Sequence, residues 1–481
     1  MSRRRTWLIS LALSVVAASA CTTTAERSRI VETSRTETST AAAVGPAGGT
    51  TSGGEVAGPA AATGPGAVQG SAAGPAAAAA GGGGQTSAAG DSGPLKLGFW
   101  VVDATAGCKA LGAKANCQND SPYITAVVNY VNAHGGIGGR RIQPSIFVTD
   151  ALGDSWAVQS AAACADLIED KHSFAVMAPY VGGRDIFAHC AAQHGVPVVD
   201  TGYWPYDAVE YQSLQPYLYL PSRPNPDRWM AAYVNGLFAQ GYFDPGAKIG
   251  LVRFDAAPFT RVTDTVLKPA LAAHGLHLTD DIAVATPQST TDLGPMSGQL
   301  SNAILKLRSD GVDHVLIFDL GTELTFFLLP QAEGQGYRPR YGFNSYSNMN
   351  LLLQNVPHAQ LERSLGVGWS PVLDVAPADD PGSPVASMCK SIYHAAGLTS
   401  ATGRSLYCDT VLFFKAALER ATSISAAGMR DGVSSLGTSY QASMLLGTAF
   451  DASRYDGASA TRDFAYLDSC GCFEYRTTRA M

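Results

Sequence analysis

From about residue 94 onward, short apolar runs alternate with longer stretches in which apolar residues recur at helical spacing. Runs such as Leu95–Val102 and Phe174–Ala178 are apolar at nearly every position, which is typical of strands buried on both faces of a parallel sheet. Stretches such as Trp156–Asp170 and Tyr407–Ala421 place their apolar residues along one side of a helix. This alternation predicts an α/β fold whose parallel sheets are covered by helices.

The repeats are too numerous for one ordinary hydrophobic core. Residues 94–481 are enough for two lobes, and the pattern suggests a split near residues 220–223. Beyond the split the alternation resumes, with a helix predicted at Arg228–Gln240 and a strand at Lys248–Arg253. A strand-like run at Leu365–Trp369 and a hairpin pattern near the end of the sequence indicate that the chain crosses between the lobes again.

The first twenty residues have the pattern of an export signal. Arg3–Arg5 precede a short apolar run from Trp7 to Ala18. Small residues then lead into Cys21, and this junction resembles a bacterial lipobox, in which the cysteine is lipidated and becomes the mature N-terminus. An ordinary secretory signal with an incidental cysteine is the alternative. The sequence therefore predicts a signal peptide over residues 1–20 and a protein on the extracytoplasmic face of a bacterial cell membrane, anchored only by lipid on Cys21.

Residues 21–93 consist largely of Ala, Gly, Thr, Ser and Pro. Such a segment buries too little apolar surface to offset the entropy lost when its backbone is ordered. It is predicted to be a disordered tether between the lipid and the folded lobes.

Charge and motifs exclude several classes of function. Lys and Arg number 33 against 40 Asp and Glu, the formal net charge is −7, and no basic run follows Arg5, so a nucleic-acid partner is not expected. The sequence contains no Gly-x-Ser-x-Gly, P-loop or His-Glu-x-x-His motif, and its nine histidines are scattered. A binding protein without cofactor, metal or catalytic residues is predicted, rather than an enzyme.

The chain has nine cysteines. With Cys21 assigned to lipid, an even set of eight remains, which in an exported protein implies disulfides. Their connectivity does not follow from sequence, but nearest-neighbour pairing is the simplest scheme and joins Cys108 to Cys117, Cys164 to Cys190, Cys389 to Cys408, and Cys470 to Cys472. The last pair would close a tight ring. A metal site is the alternative there, although Cys-Gly-Cys without a nearby histidine or second cysteine pair is weak for zinc.

The run from Val131 to Ile142 has the pattern of a helix end, a glycine stop, a tight turn and a strand start. Gly135 suits the left-handed conformation that ends a helix, and Gly138–Gly139 suit the turn. The amino-acid sequence of this run closely resembles the N-A-x-G-G-I-x-G-(R/K)-(R/K)-(I/V) segment of type I periplasmic solute-binding proteins, in particular the branched-chain amino-acid receptors of ABC importers. The resemblance is specific at residues 132–142 and topological over the rest of residues 94–481.

The resemblance implies two Rossmann-like lobes joined by a three-crossover hinge. Lobe 1 would comprise residues 94–221 and 371–447, and lobe 2 residues 222–370 and 448–481. It also implies a monomer that captures a small molecule in the cleft between the lobes and delivers it to ABC permease subunits. A ligand-sensing or envelope-scaffold module of the same fold, without transport, is the alternative.

In open α/β sheets, ligands bind beyond the carboxyl ends of the strands. The residues that follow the predicted strands are therefore the candidate ligand contacts: Asp103, Tyr180, Val181, Gly182, Thr201, Gly202, Tyr203, Trp204, Asp255, Leu320, Gly321, Asn344 and Ser345. Backbone N–H groups at 180–182 could hold an anion, and Tyr203 with Trp204 could enclose an apolar group. Alternatively, the loop aromatics only pack the lobes, and Asp103 and Asp255 only form turns.

The family resemblance also bears on the ligand. In its amino-acid-binding members, the matching loops offer hydroxyl groups to the ligand carboxylate and a second-lobe acid to its amine. Here Val181 and Gly182 stand where a serine is expected, and Asn344–Ser345 stand where the acid is expected, while Thr201 keeps a hydroxyl. The expected ligand is therefore an amino acid or a more apolar organic acid.

Overall fold

The computed structural model describes residues 93–103, 105–106, 119–178, 185–202, 204–319, 321–376, 380–399 and 405–481. The predicted signal peptide and tether, Cys21, and the Cys108–Cys117 pair lie outside this part of the chain. Within it, none of the helices has the length and apolar character needed to cross a membrane.

The secondary structure alternates as predicted. In chain order the strands are β1 (Leu95–Asp103), β2 (Ile142–Asp150), β3 (Ala175–Ala178), β4 (Val198–Asp200), β5 (Leu218–Tyr219), β6 (Ile249–Phe254), β7 (Leu278–Val284), β8 (His314–Phe318), β9 (Arg340–Asn344), β10 (Leu365–Gly368), β11 (Ala460–Leu467) and β12 (Cys472–Ala480).

The α-helices are α1 (Ser121–Ala133), α2 (Trp156–Cys164), α3 (Asp185–Gln193), α4 (Ala208–Ser213), α5 (Pro226–Ala239), α6 (Ala257–Val262), α7 (Lys268–Ala273), α8 (Leu293–Ser309), α9 (Glu323–Gly334), α10 (Met349–Asn355), α11 (Pro371–Asp374), α12 (Pro384–Ala395), α13 (Ser405–Leu418) and α14 (Ala426–Leu436). A π-helical segment, Ala165–Asp170, extends α2, and another, Thr263–Leu267, joins α6 to α7. A short 3₁₀ turn, Ser345–Ser347, follows β9.

Two separate sheets organise the fold. The first has the order β2-β1-β3-β4-β5, and all of its neighbouring strands are parallel. The second has the order β12-β11-β10-β9-β8-β6-β7 and is parallel from β10 to β7, whereas β11 runs antiparallel to both β10 and β12. The predicted α/β class with two parallel-sheet lobes is confirmed.

Helices from distant parts of the sequence cover each sheet. The late helices α12 and α13 pack on α1, and α13 also contacts β3, so they belong with the first sheet. The helix α5 packs on β10 and β11 of the second sheet. The chain therefore passes between the sheets three times: between β5 and α5, between β10 and α12, and between α14 and β11.

Backbone hydrogen bonds hold these three connections side by side. Leu220 N donates to Tyr455 O at 3.0 Å, and Gly457 N donates to Leu220 O at 2.8 Å. Leu446 N donates to Trp369 O at 3.0 Å. These bonds place the three connections together at the junction of the two sheets.

The glycine-rich run that carries the family resemblance links α1 to β2. Gly135 (φ +90°) follows the C-cap of α1, and Gly136 N donates to Val131 O at 2.9 Å, which is the hydrogen bond of a Schellman helix end. A Cβ on Gly136 would lie 2.0 Å from Arg140 O. The Asn132 side chain then bonds both backbone groups of Ile142, at 2.6 and 2.9 Å. The motif fixes the path from helix to strand at the amino end of the first sheet.

Several local predictions differ from the structure. Ser121 before Pro122 has the pattern of a helix N-cap, which predicts the helix start one residue later. Instead α1 begins at Ser121 itself, and Asn119 accepts hydrogen bonds from both the backbone N–H and the hydroxyl of Ser121. The apolar pattern predicts a helix over Gly298–Asp310, but the helix α8 begins five residues earlier, at Leu293. The strand β7 was not predicted, because Asp280 and Asp281 interrupt its apolar pattern.

Three disulfides join neighbouring cysteines in the described part of the chain, as the simplest scheme predicts: Cys164–Cys190, Cys389–Cys408 and Cys470–Cys472. The first joins α2 to α3, and the second joins α12 to α13, with both of its cysteines fully buried. The third spans the β11–β12 turn.

We expect the double substitution Cys389→Ala and Cys408→Ala to lower the free energy of unfolding by about 3 kcal/mol, because cross-linking a loop of this length restricts the unfolded chain. Urea denaturation of the oxidised proteins measures the difference. A loss below about 1 kcal/mol would mean that the packing of α12 on α13 makes the bond redundant.

Candidate functional site

The carboxyl ends of β4 and β9 meet the first connection at the junction of the sheets. Asp200 ends β4, and the following loop leads through Trp204 and Tyr206 to α4. Asn344 ends β9, and Tyr346 lies in the 3₁₀ turn that follows. We call the surface that these loops and the connections build together the floor. It lies beyond the carboxyl ends of the strands, where an α/β protein of this topology binds its ligand.

Arg223, from the connection between β5 and α5, is the central cation of this floor. Only 4% of the residue is exposed. Its guanidinium donates to Asp200 Oδ1 at 3.3 Å and to the Trp204 carbonyl, and it lies 5.4 Å from the centre of the Tyr206 ring. Burial lowers the pKa of Arg223, but Tyr346 and Asp200 outweigh burial, so the pKa lies above its ordinary value. Arg223 therefore stays charged and joins the first-lobe loop to a second-lobe tyrosine.

An aromatic cluster from the second lobe adjoins Arg223. The Trp229 ring lies 5.3 Å from that of Trp369 and 5.8 Å from that of Tyr346, and Tyr346 and Trp369 are 5.1 Å apart. All three residues are buried. Aromatic pairs at these separations favour one another beyond the apolar area that they bury. The cluster gives the floor a rigid apolar wall.

Two buried donors on this floor lack partners in the described part of the chain. They are the Nε of Arg223 and the indole N–H of Trp229. A buried donor that is left unpaired costs about 1–3 kcal/mol, so native proteins usually supply an acceptor from water or ligand. These two groups therefore favour a ligand that carries acceptor oxygens.

A second polar group surrounds Glu210 on α4. Burial and, to a lesser extent, the charge of Asp185 raise the pKa of Glu210 to about 8. The Trp204 indole opposes this rise by donating a hydrogen bond, since its Nε1 lies 3.3 Å from each carboxyl oxygen of Glu210. His189 Nε2 is 3.9 Å from Glu210 Oε1. The ligand atoms of Asp185, His189 and Glu210 all lie within 4.8 Å of one another, and their types suit a divalent cation. With a pKa of about 8, the Glu210 carboxyl holds a proton at neutral pH.

Most of the predicted first-lobe contacts that the structure describes already make hydrogen bonds with nearby protein groups. Asp103 Oδ1 accepts from Thr105 N at 2.9 Å, Gly202 N donates to Asp200 at 2.6 Å, and Thr201 N donates to the Ala178 carbonyl at 3.3 Å. Trp204 reaches Glu210, as described above. Tyr180, Val181, Gly182 and Tyr203 lie outside the described residues. Contact between any of these residues and a ligand stays a prediction.

The predicted second-lobe contacts likewise have structural partners. Asp255 accepts from the N–H and hydroxyl of Thr286, at 2.9 and 2.7 Å. Asn344 caps the 3₁₀ turn by accepting from Tyr346 N at 2.9 Å, and Ser345 Oγ accepts from Trp369 N at 2.8 Å and from Ser370 N at 3.1 Å. Gly321 adopts a φ of +69° before α9, and Leu320 lies outside the described residues.

Trp204 and Asn344 were predicted contacts, but six other residues of the floor and its surroundings were not: Tyr206, Glu210, Arg223, Trp229, Tyr346 and Trp369. One signal for Arg223 was available, because it lies between Pro221 and Pro224 at the predicted split between the lobes. The two prolines restrict the backbone on either side of Arg223 and so limit where its side chain can lie. No comparable sequence signal marks Trp229 within its amphipathic helix.

Two polar contacts join the lobes at the edges of the cleft. Trp156 N, at the start of α2, donates to Gln288 O beyond β7 at 2.9 Å. Arg261, on α6 of the second lobe, bonds Asp207 at the cap of α4 at 2.5 Å, and it also pairs with Asp227 on α5. The lobes are therefore in direct polar contact at these two places, as in a closed arrangement.

Two α/β lobes, three adjacent connections and a charged, aromatic floor define a two-lobed binding protein. The family model described as "Periplasmic binding protein" matches residues 124–467, and the chain belongs to this family, which is extracytoplasmic. No curated protein sequence matches the chain.

Solved structures share the fold at low sequence identity. An ABC transporter substrate-binding protein from Aeropyrum pernix is 12% identical, with a TM-score of 0.60 over 80% of this chain and 96% of that one. A branched-chain amino acid ABC transporter protein from Thermus thermophilus with bound valine is 17% identical, with a TM-score of 0.58 over 81% and 97%. An extracellular ligand-binding receptor from Verminephrobacter eiseniae is 16% identical, with a TM-score of 0.58 over 80% and 100%.

Proposed function

We propose that this protein is the solute-binding component of an ABC importer. It captures a small organic acid between its lobes and presents the closed form to permease subunits. Family membership and the structural likeness to ABC transporter substrate-binding proteins support this function. Closure would follow because a ligand that contacts both lobes binds the closed form more tightly than the open one.

The observation that carries the ligand class is the pair of buried donors on the floor, Arg223 Nε and Trp229 Nε1. A carboxylate supplies acceptor oxygens for such donors, and the ring cluster beside them suits an apolar body. The charged acids nearby offer little to a ligand amine, since Asp200 and Asp255 already accept protein hydrogen bonds. The ligand is therefore an amino acid or, with at least equal support, an apolar carboxylate without an amine.

The same proposal includes the organisation of the chain. Lipid on Cys21 holds the protein at the outer face of the cell membrane, and residues 21–93 serve as the tether. Residues 94–221 and 371–447 form lobe 1, and residues 222–370 and 448–481 form lobe 2. The protein acts as a monomer.

Native mass spectrometry of the full chain from an oxidising host would identify any co-purified acid. Calorimetric titration would then compare leucine with 4-methylpentanoate, and phenylalanine with 3-phenylpropanoate. Each pair differs only by the amine. Binding of at least one member supports capture of an organic acid, and tighter binding of the amine-free member supports the apolar class. If none of the four binds and nothing co-purifies, the proposed ligand class is wrong.

Trp229→Phe separates ligand binding from stability. We expect this variant to bind the best of those four probes about tenfold more weakly, because it loses one donor of about 1.4 kcal/mol. The smaller buried ring should also lower the free energy of unfolding, by about as much as in the control variant below. Trp100→Phe is the matched control. The Trp100 indole donates to Thr149 at 3.1 Å inside lobe 1, so this variant should lose stability and keep its affinity. Equal affinities for Trp229→Phe and the native protein would remove this donor from the site.

A further inference from the structure

The Cys470–Cys472 disulfide differs from the other two described disulfides in its surroundings. Cys389 and Cys408 are fully buried and lie 19 residues apart, and Cys164 is buried in a bond that spans 26 residues. Cys470 is exposed in the turn between β11 and β12, and Cys472 is half-buried two residues later. An incoming reagent can therefore reach Cys470 directly.

This disulfide contributes little to holding the hairpin together. The strands β11 and β12 pair along their whole length, from Leu467 opposite Cys472 to Ala460 opposite Ala480. Gly471 N also donates to Leu467 O at 2.9 Å, which closes the turn without the sulfurs. Cross-linking residues so close in sequence removes little entropy from the unfolded chain. Stabilisation of the fold does not account for the bond.

A carboxyl group lies beside the two sulfurs, and a histidine lies beside the glycine between them. Glu474 Oε1 lies 3.9 Å from Cys470 Sγ and 3.8 Å from Cys472 Sγ, so either sulfur, once released as a thiol, has an acceptor for its hydrogen. Gly471 adopts a φ of +60°, and a Cβ on this residue would lie 3.4 Å from the His358 ring. His358 Nδ1 in turn lies 2.9 Å from the Tyr466 hydroxyl.

The turn lies far from the ligand floor. Because β11 runs antiparallel to β10, the end of β11 lies beside Leu365, at the start of β10, whereas the floor lies beyond its opposite end at Trp369. Chemistry at the sulfurs is therefore separated from the floor by the length of β10.

We propose that Cys470–Cys472 is a thiol–disulfide exchange site for small thiols and dithiols. The thiolate of the incoming reagent attacks Cys470 Sγ and forms a mixed disulfide. The bond between Cys470 and Cys472 breaks, and its electron pair leaves on Cys472 Sγ, which then takes a proton from water and donates a hydrogen bond to Glu474. A second thiolate attacks the sulfur of the reagent and releases Cys470. Two thiols are oxidised to one disulfide, and the protein disulfide is reduced to two thiols.

The full-length protein contains its own control, because the three disulfides of the described residues all experience the same solution. The oxidised protein is incubated with increasing concentrations of dithiothreitol, and the reaction is quenched with acid at a series of times. The free thiols are then alkylated, and mass spectrometry measures the alkylated fraction of each cysteine. We expect Cys470–Cys472 to be reduced at least a hundredfold faster than Cys389–Cys408. Reduction of the two pairs at the same rate would overturn the proposal.

Two variants sharpen the test. Cys472→Ser leaves Cys470 as a free thiol, whose thiolate attacks glutathione disulfide and releases one glutathione, so a stable glutathione adduct should form on Cys470. In the reduced native protein, the Cys472 thiolate should displace the glutathione from Cys470 and restore the Cys470–Cys472 bond. Cys470→Ser with Cys472→Ser should keep the native urea midpoint and ligand affinity. A large fall in the urea midpoint of the double variant would show that the bond is structural and would contradict an exchange site.

Discussion

Arg223→Met is expected to lower the free energy of unfolding by about 3–5 kcal/mol, because it leaves the buried Asp200 carboxylate without its cation. Asp200 is only 6% exposed and keeps bonds from Gly202 N and the Tyr206 hydroxyl, which compensate only part of its charge. The variant also loses the bond from Arg223 to the Trp204 carbonyl. Urea denaturation at neutral pH measures the loss.

Arg430→Met provides the matched control. Arg430 pairs with Asp431 at 3.0 Å on the surface, where both side chains are well exposed, so its loss should cost less than about 1 kcal/mol. Adding Asp200→Asn to Arg223→Met should recover part of the stability, because the uncompensated charge is then removed. Equal losses for Arg223→Met and Arg430→Met would show that water reaches Asp200 and that the floor is not a closed ion-pair site.

The second large effect is a dependence of stability on pH that Asp374 controls. Burial raises the pKa of Asp374 from 3.8 to about 7, although the Tyr475 hydroxyl, 2.6 Å from Oδ2, and bonds from Ser345 and Ser370 N oppose the rise. The close approach depends on Gly368, since a Cβ there would lie 2.0 Å from Oδ2.

The sign of the effect follows from which state holds the proton. Between pH 4 and 7 the folded protein keeps a proton on Asp374 that the unfolded chain has lost. Raising the pH therefore favours unfolding, and the stability contributed below pH 4 disappears as the pH approaches 7. Three pKa units correspond to about 4 kcal/mol.

Asp374→Asn removes this titration. We expect the difference in unfolding free energy between Asp374→Asn and the native protein to move by about 4 kcal/mol in favour of the variant between pH 4 and pH 8. Tyr475→Phe should extend the sensitive range upward, because it removes a hydrogen bond that lowers the Asp374 pKa. Parallel pH profiles for the native protein and Asp374→Asn would contradict the buried, protonated carboxyl.

The parts of the fold that sequence predicted well are those governed by local physics. The glycines at 135, 138 and 139 adopt the positive φ angles expected of a helix end and a tight turn. Continuous apolar runs became central parallel strands. In contrast, β7 lies at a sheet edge, where Asp280 pairs with Lys306 and Asp281 with Arg253. These cross-element ion pairs accommodate the two aspartates in a strand that pairs with β6, and a linear pattern does not display them.

The topology predicted where the floor lies, but the sequence did not predict which residues form it. Reading the residues after each strand identified Asn344 and Ser345, which turned out to hold the loop that positions Tyr346. Arg223 and Trp229 belong instead to a connection and to the helix after it. Their approach to Asp200 and Tyr346 depends on long-range packing, so no spacing along the chain indicates it.

The three side-by-side connections have a consequence for how the chain folds. Leu220 bonds residues 455 and 457, and helices α12 and α13 reach back to cover α1 on the first sheet. The first sheet therefore stays partly uncovered until most of the polypeptide has been made. Contacts of such large sequence separation slow folding and expose apolar surface for longer. A fragment that ends before α12 should aggregate rather than fold as an independent lobe.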